Sequence, residues 1–391
     1  MKKAEIVVIG GGVIGASVAY HLTMRGVKDV LILERENAQG KGSTGKATGG
    51  VRAQFETDIN IKMSLYSLDF FKNCDFDCEY EPRGYLFFAT NEKQFDYLKG
   101  NVEKQKSLGV KDVEIVDRKT ISEICPILNC ADIVGGSFGA RDGFINPLAV
   151  MRGFTEKALA DGAKIEFETE ALSIETMGGK VTAVETNKGR IECENAIICT
   201  GARASEIAKT AGIDLPVESM RRQILWAQSI KPLPENMPMV IDIGSGFHFR
   251  PARDFFNPSK CTDACDVLFA YPDPDEKPST DTNFEPLFIE KVYEQAKHRS
   301  EFLYRTIPVL EKCRAGLYEN TPDHHAIIGG CDIKGLYFCN GFSGHGVMHS
   351  PASGRAIAEI ILDGKASFLD VSCLSFDRFA KGELLHETAF I

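Results

Sequence analysis

Three glycines near the N-terminus have a spacing that suits the binding of phosphate groups. Gly10, Gly12 and Gly15 form a G-x-G-x-x-G pattern that follows the apolar run Glu5–Ile9 and opens the segment Val13–Met24. The first glycine permits a tight turn, the second lets the backbone approach a pyrophosphate, and the third lets a helix pack closely on a strand. Free N–H groups at the helix N-terminus then face the negative charge. The pattern predicts a dinucleotide-binding site.

An acidic residue follows the second predicted strand, at the position where a dinucleotide-binding site has one. Glu34 follows the apolar run Asp29–Leu33 and lies 24 residues after Gly10. An acidic side chain at the end of the second strand hydrogen-bonds a ribose hydroxyl group, and its charge repels the 2′-phosphate of NADP. The two features together predict a dinucleotide without that phosphate, and they do not distinguish NAD from FAD.

The elements that must hold this site follow from the pattern of apolar residues. The opening strand, the helix and the second strand form a βαβ unit, which implies parallel strands and an α/β fold. Ser43–Arg52 is predicted to be a loop, because it is rich in Gly, Ser and Thr, and the chain ends with a strand at Gly335–Cys339 and a helix at Ser350–Asp363. Further helices are predicted at Ile59–Lys72, Glu92–Leu108, Pro147–Asp161 and Pro286–Tyr304, and further strands at Gly84–Ala89, Lys164–Glu168, Lys180–Thr186 and Gly189–Cys193.

Regions with two different patterns of predicted secondary structure alternate along the chain. Segments 1–80, 145–215 and 319–391 share the alternation of strand and helix, and they predict a Rossmann-like dinucleotide-binding domain. Segments 81–144 and 216–318 are dominated by strands, and they predict a substrate-binding domain with a mixed or antiparallel sheet. The fold class is therefore α/β with α+β character, and the two domains are interleaved in sequence.

The composition excludes several classes of function. The net charge of −10 argues against a general nucleic-acid binder, since phosphate backbones need a basic surface. No segment approaches the ~20 apolar residues of a membrane-spanning helix, and no signal peptide follows Met1, so we expect a cytoplasmic protein. The twelve cysteines form no paired CxxC clusters, and the close pair Cys261 and Cys265 does not change this, so no metal is predicted.

Three further stretches carry a resemblance to a known family. They are the run of small residues in Gly42–Arg52, the turn Cys199–Ala202 and the strand and glycine turn Gly335–Gly346. Over essentially its whole length the chain resembles the FAD-dependent amino-acid oxidase superfamily, the group of D-amino acid oxidase, glycine oxidase and sarcosine oxidase. The likeness is strongest to sarcosine oxidase β subunits and dye-linked L-proline dehydrogenases. The resemblance implies that the dinucleotide is FAD.

In this family the three stretches lie along the cofactor. Small residues in the first run avoid a collision with the pyrophosphate and the ring. The last turn brings backbone amides and a helix N-terminus toward the pyrimidine end of the flavin, where they stabilise negative charge on the reduced ring. The predicted cofactor-binding residues are Gly10, Gly12, Val13, Ile14, Gly15, Glu34, Arg35, Ser43, Thr44, Ala47, Thr48, Gly49, Gly50, Ala171, Thr200, Gly201, Gly316, Gly341, Phe342, Ser343, Gly344, His345, Gly346 and Val347.

Two departures from the family pattern concern the cofactor. Relatives that attach FAD covalently have a cysteine two residues before the tyrosine of a Tyr-x-Asn-Thr-Pro-Asp motif, which here is Tyr318–Asp323. This chain has Gly316 at that position, and Cys313 lies three residues too early, so we expect non-covalent FAD. A lysine that speeds the reaction with oxygen in a relative aligns with Leu268, which favours a dehydrogenase over an efficient oxidase.

The resemblance also indicates the substrate side. Arg52 matches a family arginine whose guanidinium suits bidentate binding of a carboxylate, while a second family cation, a lysine, is replaced by Met348. His248 and Arg250 share one face of a predicted strand. An imidazole at the flavin is suited to deprotonating an amine, since its pKa lies near the working pH. The predicted catalytic residues are Arg52, His248, Arg250, Tyr271 and His345.

The expected activity is oxidation of the C–N bond of a small amino acid or N-methyl amino acid, of the sarcosine, glycine or proline type, by hydride transfer to the flavin N5. One alternative is a FAD-dependent dehydrogenase of a 2-hydroxy acid or glycerol 3-phosphate, in which His248 or His345 must act as a base. The other is a flavoprotein subunit that relays electrons within a larger complex. The electron acceptor is left open, with a partner redox subunit as one candidate. An insertion at 254–266 is a candidate for covering the site or contacting that partner.

Overall fold

The structure is a computed structural model that describes residues 2–252 and 265–387. Its strands are β1 (Lys2–Lys3), β2 (Ile6–Ile9), β3 (Val30–Leu33), β4 (Gly50–Val51), β5 (Tyr85–Ala89), β6 (Val113–Val116), β7 (Gly135–Gly139), β8 (Gly143–Phe144), β9 (Lys164–Glu166), β10 (Ala171–Met177), β11 (Lys180–Thr186), β12 (Gly189–Glu192), β13 (Asn195–Ile198), β14 (Glu218–Gln228), β15 (Met239–Asp242), β16 (His248–Pro251), β17 (Asp266–Ala270), β18 (Ile307–Pro308), β19 (Arg314–Asn320), β20 (Ile327–Gly330) and β21 (Leu336–Asn340). Its helices are α1 (Val13–Met24), α2 (Ser43–Lys46), α3 (Asp58–Asn73), α4 (Glu92–Ser107), α5 (Arg118–Ile124), α6 (Pro147–Ala160), α7 (Ala204–Thr210), α8 (Phe288–Arg299), α9 (Glu301–Tyr304), α10 (Gly346–Asp363) and α11 (Arg378–Lys381). In the described ranges we find no helix with the length and apolar character to cross a membrane.

A six-stranded sheet, called the nucleotide sheet below, holds the glycine-rich motif. Its strand order is β20-β21-β13-β2-β3-β9, and all neighbours are parallel except β20 and β21. The central strands β2 and β3 are buried along their whole length, as expected for a parallel sheet that is covered on both faces. Helix α1 connects them, so the predicted βαβ unit and the α/β fold class are confirmed.

Helix α1 is itself buried, because it packs between α6 and α10. Its residues from Val13 to Thr23 are all buried, and its apolar side chains therefore go all round the helix and not along one stripe. A smaller sheet of order β1-β12-β11-β10 flanks this region. Strand β10 was not predicted, since its exposed residues leave only a weak apolar alternation.

A nine-stranded sheet, called the large sheet below, holds most of the remaining strands. Its main path has the order β18-β14-β17-β16-β15-β5-β7-β6, and β19 pairs with β14. Most neighbours are antiparallel, while β15 and β5 are parallel, which confirms the predicted mixed sheet. The predicted division of the chain at 81, 145, 216 and 319 stays a prediction. Strand β19 belongs to the large sheet and runs across the last of these boundaries.

Three local predictions were wrong or incomplete. The predicted loop Ser43–Arg52 contains α2 and β4. Helix α10 begins at Gly346, earlier than the predicted start at Ser350, because the hydroxyl of Ser350 donates to the carbonyl of Val347 at 2.8 Å. That carbonyl is the acceptor that Pro351, which has no N–H group, leaves unused inside the helix. Strand β6 and helix α5 were not predicted, and the insertion at 254–266 lies outside the described residues except for its last two.

Candidate cofactor and substrate site

A cavity of about 530 Å³ is lined by residues of both the nucleotide sheet and the large sheet. It lies at the carboxyl ends of β2, β3 and β13, which is where ligands bind in open parallel sheets. The predicted residues that line it are Gly10, Gly12, Val13, Ile14, Glu34, Arg35, Ser43, Thr44, Ala47, Thr48, Gly49, Gly50, Arg52, Ala171, Thr200, Gly201, His248, Tyr271, Gly316, Gly344, His345, Gly346 and Val347. The predicted residues Gly15, Arg250, Gly341, Phe342 and Ser343 do not line it.

The glycine turn at the start of α1 forms one end of the cavity. Gly12 is the N-cap residue of α1 and supplies no side-chain cap, and the N–H of Val13 donates to Thr44 Oγ1 at 3.1 Å. Gly15 lies behind the turn, where a Cβ atom would fall 1.9 Å from the carbonyl oxygen of Gly10. The helix N-terminus therefore approaches the strand as closely as a pyrophosphate site requires.

Glu34 lies beside this turn. Its Oε1 accepts a hydrogen bond from the backbone N–H of Glu36 at 2.9 Å, and its other carboxylate oxygen faces Gly11. Burial raises the pKa of Glu34, and the backbone hydrogen bonds oppose that rise. A carboxylate held at the edge of the glycine turn is placed to accept hydrogen bonds from a ribose.

A second glycine turn, residues 341–346, closes the cavity on the side of α10. Ser343 adopts a left-handed conformation with φ of 48°, and its N–H donates to the carbonyl of Glu319 at 3.1 Å. Gly344 packs against the ring of Tyr318, where a Cβ atom would lie 2.4 Å from a ring carbon. His345 is the N-cap residue of α10, so the free N–H groups of this helix start at the cavity wall.

The substrate side of the cavity contains Arg52 and His248. Arg52 is 3% exposed, its guanidinium carbon lies 4.0 Å from the ring centroid of Phe55, and it donates to the carbonyl of Gln54. Nδ1 of His248 is 2.8 Å from the carbonyl oxygen of Gly246, which assigns the ring proton to Nδ1 and leaves the lone pair on Nε2. Burial lowers the pKa of His248 to about 4. The imidazole is therefore a neutral acceptor at neutral pH.

Arg250 is not placed as predicted. Although it shares a strand with His248, its guanidinium donates to the carbonyls of Thr48 and Pro251 and lies 4.6 Å from the ring centroid of Phe144. It thus supports the loop that carries Thr48 instead of facing the cavity. Leu268 also lies away from the cavity lining, in an apolar cluster with Ile224, Trp226 and Ala252.

Comparison with known proteins identifies the family to which this arrangement belongs. The family of FAD-dependent oxidoreductases known as DAO matches residues 5–360. The chain belongs to this family. It is 30% identical over 440 residues to the FAD-dependent oxidoreductase domain-containing protein 1 of Xenopus laevis, with 99% of this chain and 84% of that protein covered.

Solved structures of DAO-type proteins share the fold. The crystal structure of an L-proline dehydrogenase from P. horikoshii superposes with a TM-score of 0.88 at 28% identity, covering 98% of this chain and 100% of that one. A glycine oxidase from Bacillus cereus superposes with a TM-score of 0.76 at 25% identity, covering 93% of this chain and 98% of that one. The resemblance to the amino-acid oxidase superfamily is therefore confirmed, as is FAD as the cofactor.

The residues of the cavity fit FAD. The N-terminus of α1 and the Glu34 carboxylate suit the pyrophosphate and the ribose, and the start of α10 with the preceding Gly344 places backbone amides at the other end. Gly316 lines the cavity without a thiol, and the Sγ of Cys313 lies 3.4 Å from the carbonyl of Val309, in contact with the backbone of β14. The attachment that relatives make through a cysteine at this position is therefore not available to this chain, in keeping with the non-covalent binding that is typical of the family.

Several residues of the cavity lining were missed by the sequence reasoning, and three of them carry chemistry at the site. They are Arg222 on β14 and the pair Tyr318 and Glu319 on β19. Burial raises the pKa of Glu319 to about 7, and hydrogen bonds from the amides of Gly341 and Phe342 oppose that rise. The Tyr-x-Asn-Thr-Pro-Asp motif contains two of these residues, and it was used only to locate Gly316. Arg222 has no local motif, because the pairing of β14 with β19 is what brings it to the cavity.

A buried histidine supports the wall of the site from behind. A ring nitrogen of His349 lies 3.0 Å from Ser64 Oγ, and the ring is 5.4 Å from the ring of Phe55, which in turn packs on Arg52. Burial lowers the pKa of His349 to about 3, with the positive charge of Arg52 adding to the effect. The folded protein therefore keeps this ring neutral where the unfolded chain would protonate it.

This predicts that His349→Gln reduces the acid sensitivity of folding. The pKa of His349 is about 3 in the folded state and about 6.5 when unfolded. Below about pH 7 the unfolded chain therefore binds a proton that the folded protein does not, and this lowers the free energy of unfolding by about 1.4 kcal/mol per pH unit. Between about pH 7 and pH 4, the free energy of unfolding of the variant should therefore rise relative to that of wild type by on the order of 3 kcal/mol. Urea unfolding of both FAD-loaded proteins across this range measures the difference. Parallel pH curves would show that the histidine carries no such cost.

Proposed function

We propose that this protein oxidises the C–N bond of a small amino acid or N-methyl amino acid. The observation that carries the proposal is the pairing of a buried guanidinium, Arg52, with a neutral imidazole, His248, in the same cavity as the FAD cradle. A carboxylate and an amine are the two groups that such a pair recognises. The L-proline dehydrogenase and the glycine oxidase with this fold, which by name act on amino acids, add support.

Each side chain has a distinct role in this proposal. Arg52 binds the substrate carboxylate through charge-assisted hydrogen bonds, and its burial removes competing water. The lone pair on Nε2 of His248 accepts a hydrogen bond from the substrate amine and orients its neutral form, which is already present as a fraction in water. Tyr271 lines the cavity near these groups and contributes to orientation. Bound FAD supplies the hydride acceptor at N5.

The preference for a dehydrogenase over an oxidase rests on missing cations. Leu268 and Met348 occupy the two positions at which the sequence resemblance places lysines, and Met348 lines the cavity while Leu268 is buried behind it. Charge that develops on oxygen during its reduction then lacks an ammonium group at these two positions. We propose that the electrons leave to another acceptor, with a partner redox subunit as one candidate. The free thiols among the described cysteines suit a reducing compartment, and we propose the cytoplasm.

The alternative substrates, a 2-hydroxy acid or glycerol 3-phosphate, make a different demand on the site. Their hydroxyl group gives up its proton only to a competent base, whereas a fraction of an amine is already neutral in water. The lowered pKa of His248 makes it a weak base, which favours the amine. We therefore rank the hydroxy substrates second, and the electron-relay role third, since the cavity contains groups for a substrate as well as for FAD.

The test is anaerobic bleaching of the flavin absorbance. We expect bleaching by at least one of sarcosine, L-proline, glycine and the D-amino acids, and none by lactate or glycerol 3-phosphate. Reoxidation should be at least about tenfold faster with an artificial dye than with air, if the missing cations slow oxygen reduction by as much as removal of one charge-stabilising group does. Bleaching by a hydroxy acid alone would overturn the proposal, and bleaching by no small molecule would favour the relay role.

A further inference from the structure

A second cavity of about 270 Å³ adjoins the first. The two cavities share Arg222, Ile241 and Pro272 in their walls, and the second extends between the large sheet and helix α4. Gly246, whose carbonyl fixes the ring of His248, also lines it. A molecule held by Arg52 and His248 can therefore extend into this second space.

The wall of the second cavity has polar groups that a purely apolar packing gap would not need. Gln105 is 3% exposed, and its Nε2 donates to the carbonyl of Phe55 at 2.8 Å. Its Oε1 is buried and has no hydrogen-bond partner among the described residues. Ser137 donates to Gln54 at 2.7 Å, and Asn101 faces the same space from α4. Since buried polar atoms are normally paired and an amide oxygen only accepts, the free Gln105 oxygen points to an occupant with a hydrogen-bond donor, such as water or an N–H group.

Arg222 lies at the junction of the two cavities, and the described residues give it no counter-ion. Its NH1 group donates to the carbonyl of Arg221 at 3.2 Å, its guanidinium carbon lies 5.5 Å from the ring centroid of Tyr318, and its Nε is buried without a partner in the described structure. No carboxylate of the described residues pairs with it. The neighbouring Arg221 differs completely, since it forms ion pairs with Glu276, Asp281 and Glu285 on the other face of the strand.

A half-buried guanidinium without a counter-ion is costly, because desolvation weakens its hydration and nothing in the protein replaces it. An anionic ligand would restore that balance. In the proposed function Arg52 binds the carboxylate next to the reacting carbon. Arg222 also borders the second cavity, which the pyrophosphate-binding turn of α1 does not line, and we therefore assign an anion at Arg222 to a different part of the substrate.

We propose that Arg222 and the second cavity form a subsite for a distal anionic group, so that the preferred substrates are amino acids or N-alkyl amino acids with a second carboxylate. The inference rests on the proposed function for its choice of substrate class. Arg222 is the specificity-determining residue, and the side-chain amide of Asn101 supplies a hydrogen-bond donor near the distal end.

Matched non-reactive acids test this subsite. The FAD-loaded protein is titrated with succinate, glutarate and adipate and, in parallel, with butyrate, valerate and hexanoate, and dissociation constants are read from the change in flavin absorbance. We expect at least one dicarboxylate to bind about tenfold or more tightly than the monocarboxylate of equal length, as a charge-assisted contact provides. Equal affinities within every pair would overturn the subsite.

Three variants locate the effect. Arg222→Gln should raise the dissociation constant of the favoured dicarboxylate about tenfold or more and leave that of the monocarboxylate within about twofold. Arg221→Gln, which removes the same charge from the other face of the strand, should change neither constant. Asn101→Phe should weaken the dicarboxylate by filling the space without removing a charge. If Arg222→Gln weakens both acids by the same factor, Arg222 binds the first carboxylate and the inference fails.

The same titrations separate this inference from the proposed function. If amino acids bleach the flavin but the acids show no preference for two carboxylates, only the subsite is overturned. If wild type prefers dicarboxylates, Arg222→Gln loses that preference and no amine bleaches the flavin, the proposed amine oxidation is wrong. The anion subsite is then supported, but without the proposed reaction.

Discussion

Replacing Gly15 with alanine is expected to abolish stable FAD binding and to destabilise the fold. The added Cβ would lie 1.9 Å from the carbonyl oxygen of Gly10 and 3.2 Å from a methyl group of Val8. Neither neighbour is a flexible side-chain end, so α1 must move away from β2. A shift of about 1 Å in a positioned binding group costs on the order of 10²-fold, and we expect the FAD dissociation constant to rise by about 100-fold or more.

Gly100→Ala is the matched control, because it makes the same change in the middle of another helix. A Cβ at Gly100 meets no atom within 4 Å. Alanine is favoured over glycine inside a helix by about 0.5–1 kcal/mol, so this variant should be as stable as wild type or slightly more stable. FAD content after purification, thermal unfolding and FAD titration of the apoprotein provide the measurements. A Gly15→Ala protein with full FAD content would show that the close contact is not needed for the site.

The cofactor half of the site was predictable because its signals are local. The glycine turn, the helix it opens and Glu34 lie within one βαβ unit, and their spacing along the chain sets their positions in space. Even the wrong start of α10 had a local cause, since Pro351 breaks the backbone hydrogen-bond pattern while the Ser350 hydroxyl replaces the missing donor. Such a replacement is a side-chain choice that composition does not reveal.

The substrate half depended on pairing between distant strands. His248 and Arg250 were predicted to act together because side chains two apart share a face. His248 does line the cavity, but the long side chain of Arg250 turns to the carbonyl of Thr48, about two hundred residues away in sequence. Arg222 reaches the cavity because it lies opposite Gly316 in the pairing of β14 with β19. No pattern within either strand contains that information.

Replacing Arg52 with methionine is expected to remove most of the activity toward amino acids without removing the fold. The guanidinium is buried against the rings of Phe55 and Phe87, and methionine can fill the same apolar space. The Gln54 carbonyl loses its donor, which costs about 1–3 kcal/mol of stability, less than the roughly 5–15 kcal/mol by which domains are stable. Loss of the charge-assisted contact to the substrate carboxylate costs 2–5 kcal/mol, so kcat/KM should fall by about 30-fold to 4,000-fold.

The decisive comparison uses substrates with and without the carboxylate. For wild type and Arg52→Met, kcat/KM is measured with an amino acid that bleaches the flavin and with the amine that lacks its carboxylate, such as L-proline and pyrrolidine. Arg52 should lower the barrier for the amino acid only, so the variant should lose the discrimination between the pair and keep its FAD. Arg52→Lys retains the charge without the bidentate geometry, so its kcat/KM for the amino acid should lie between those of wild type and Arg52→Met. An equal loss on both substrates would assign Arg52 to the support of the flavin or of Phe55, because a residue that binds the carboxylate cannot affect an amine that has none.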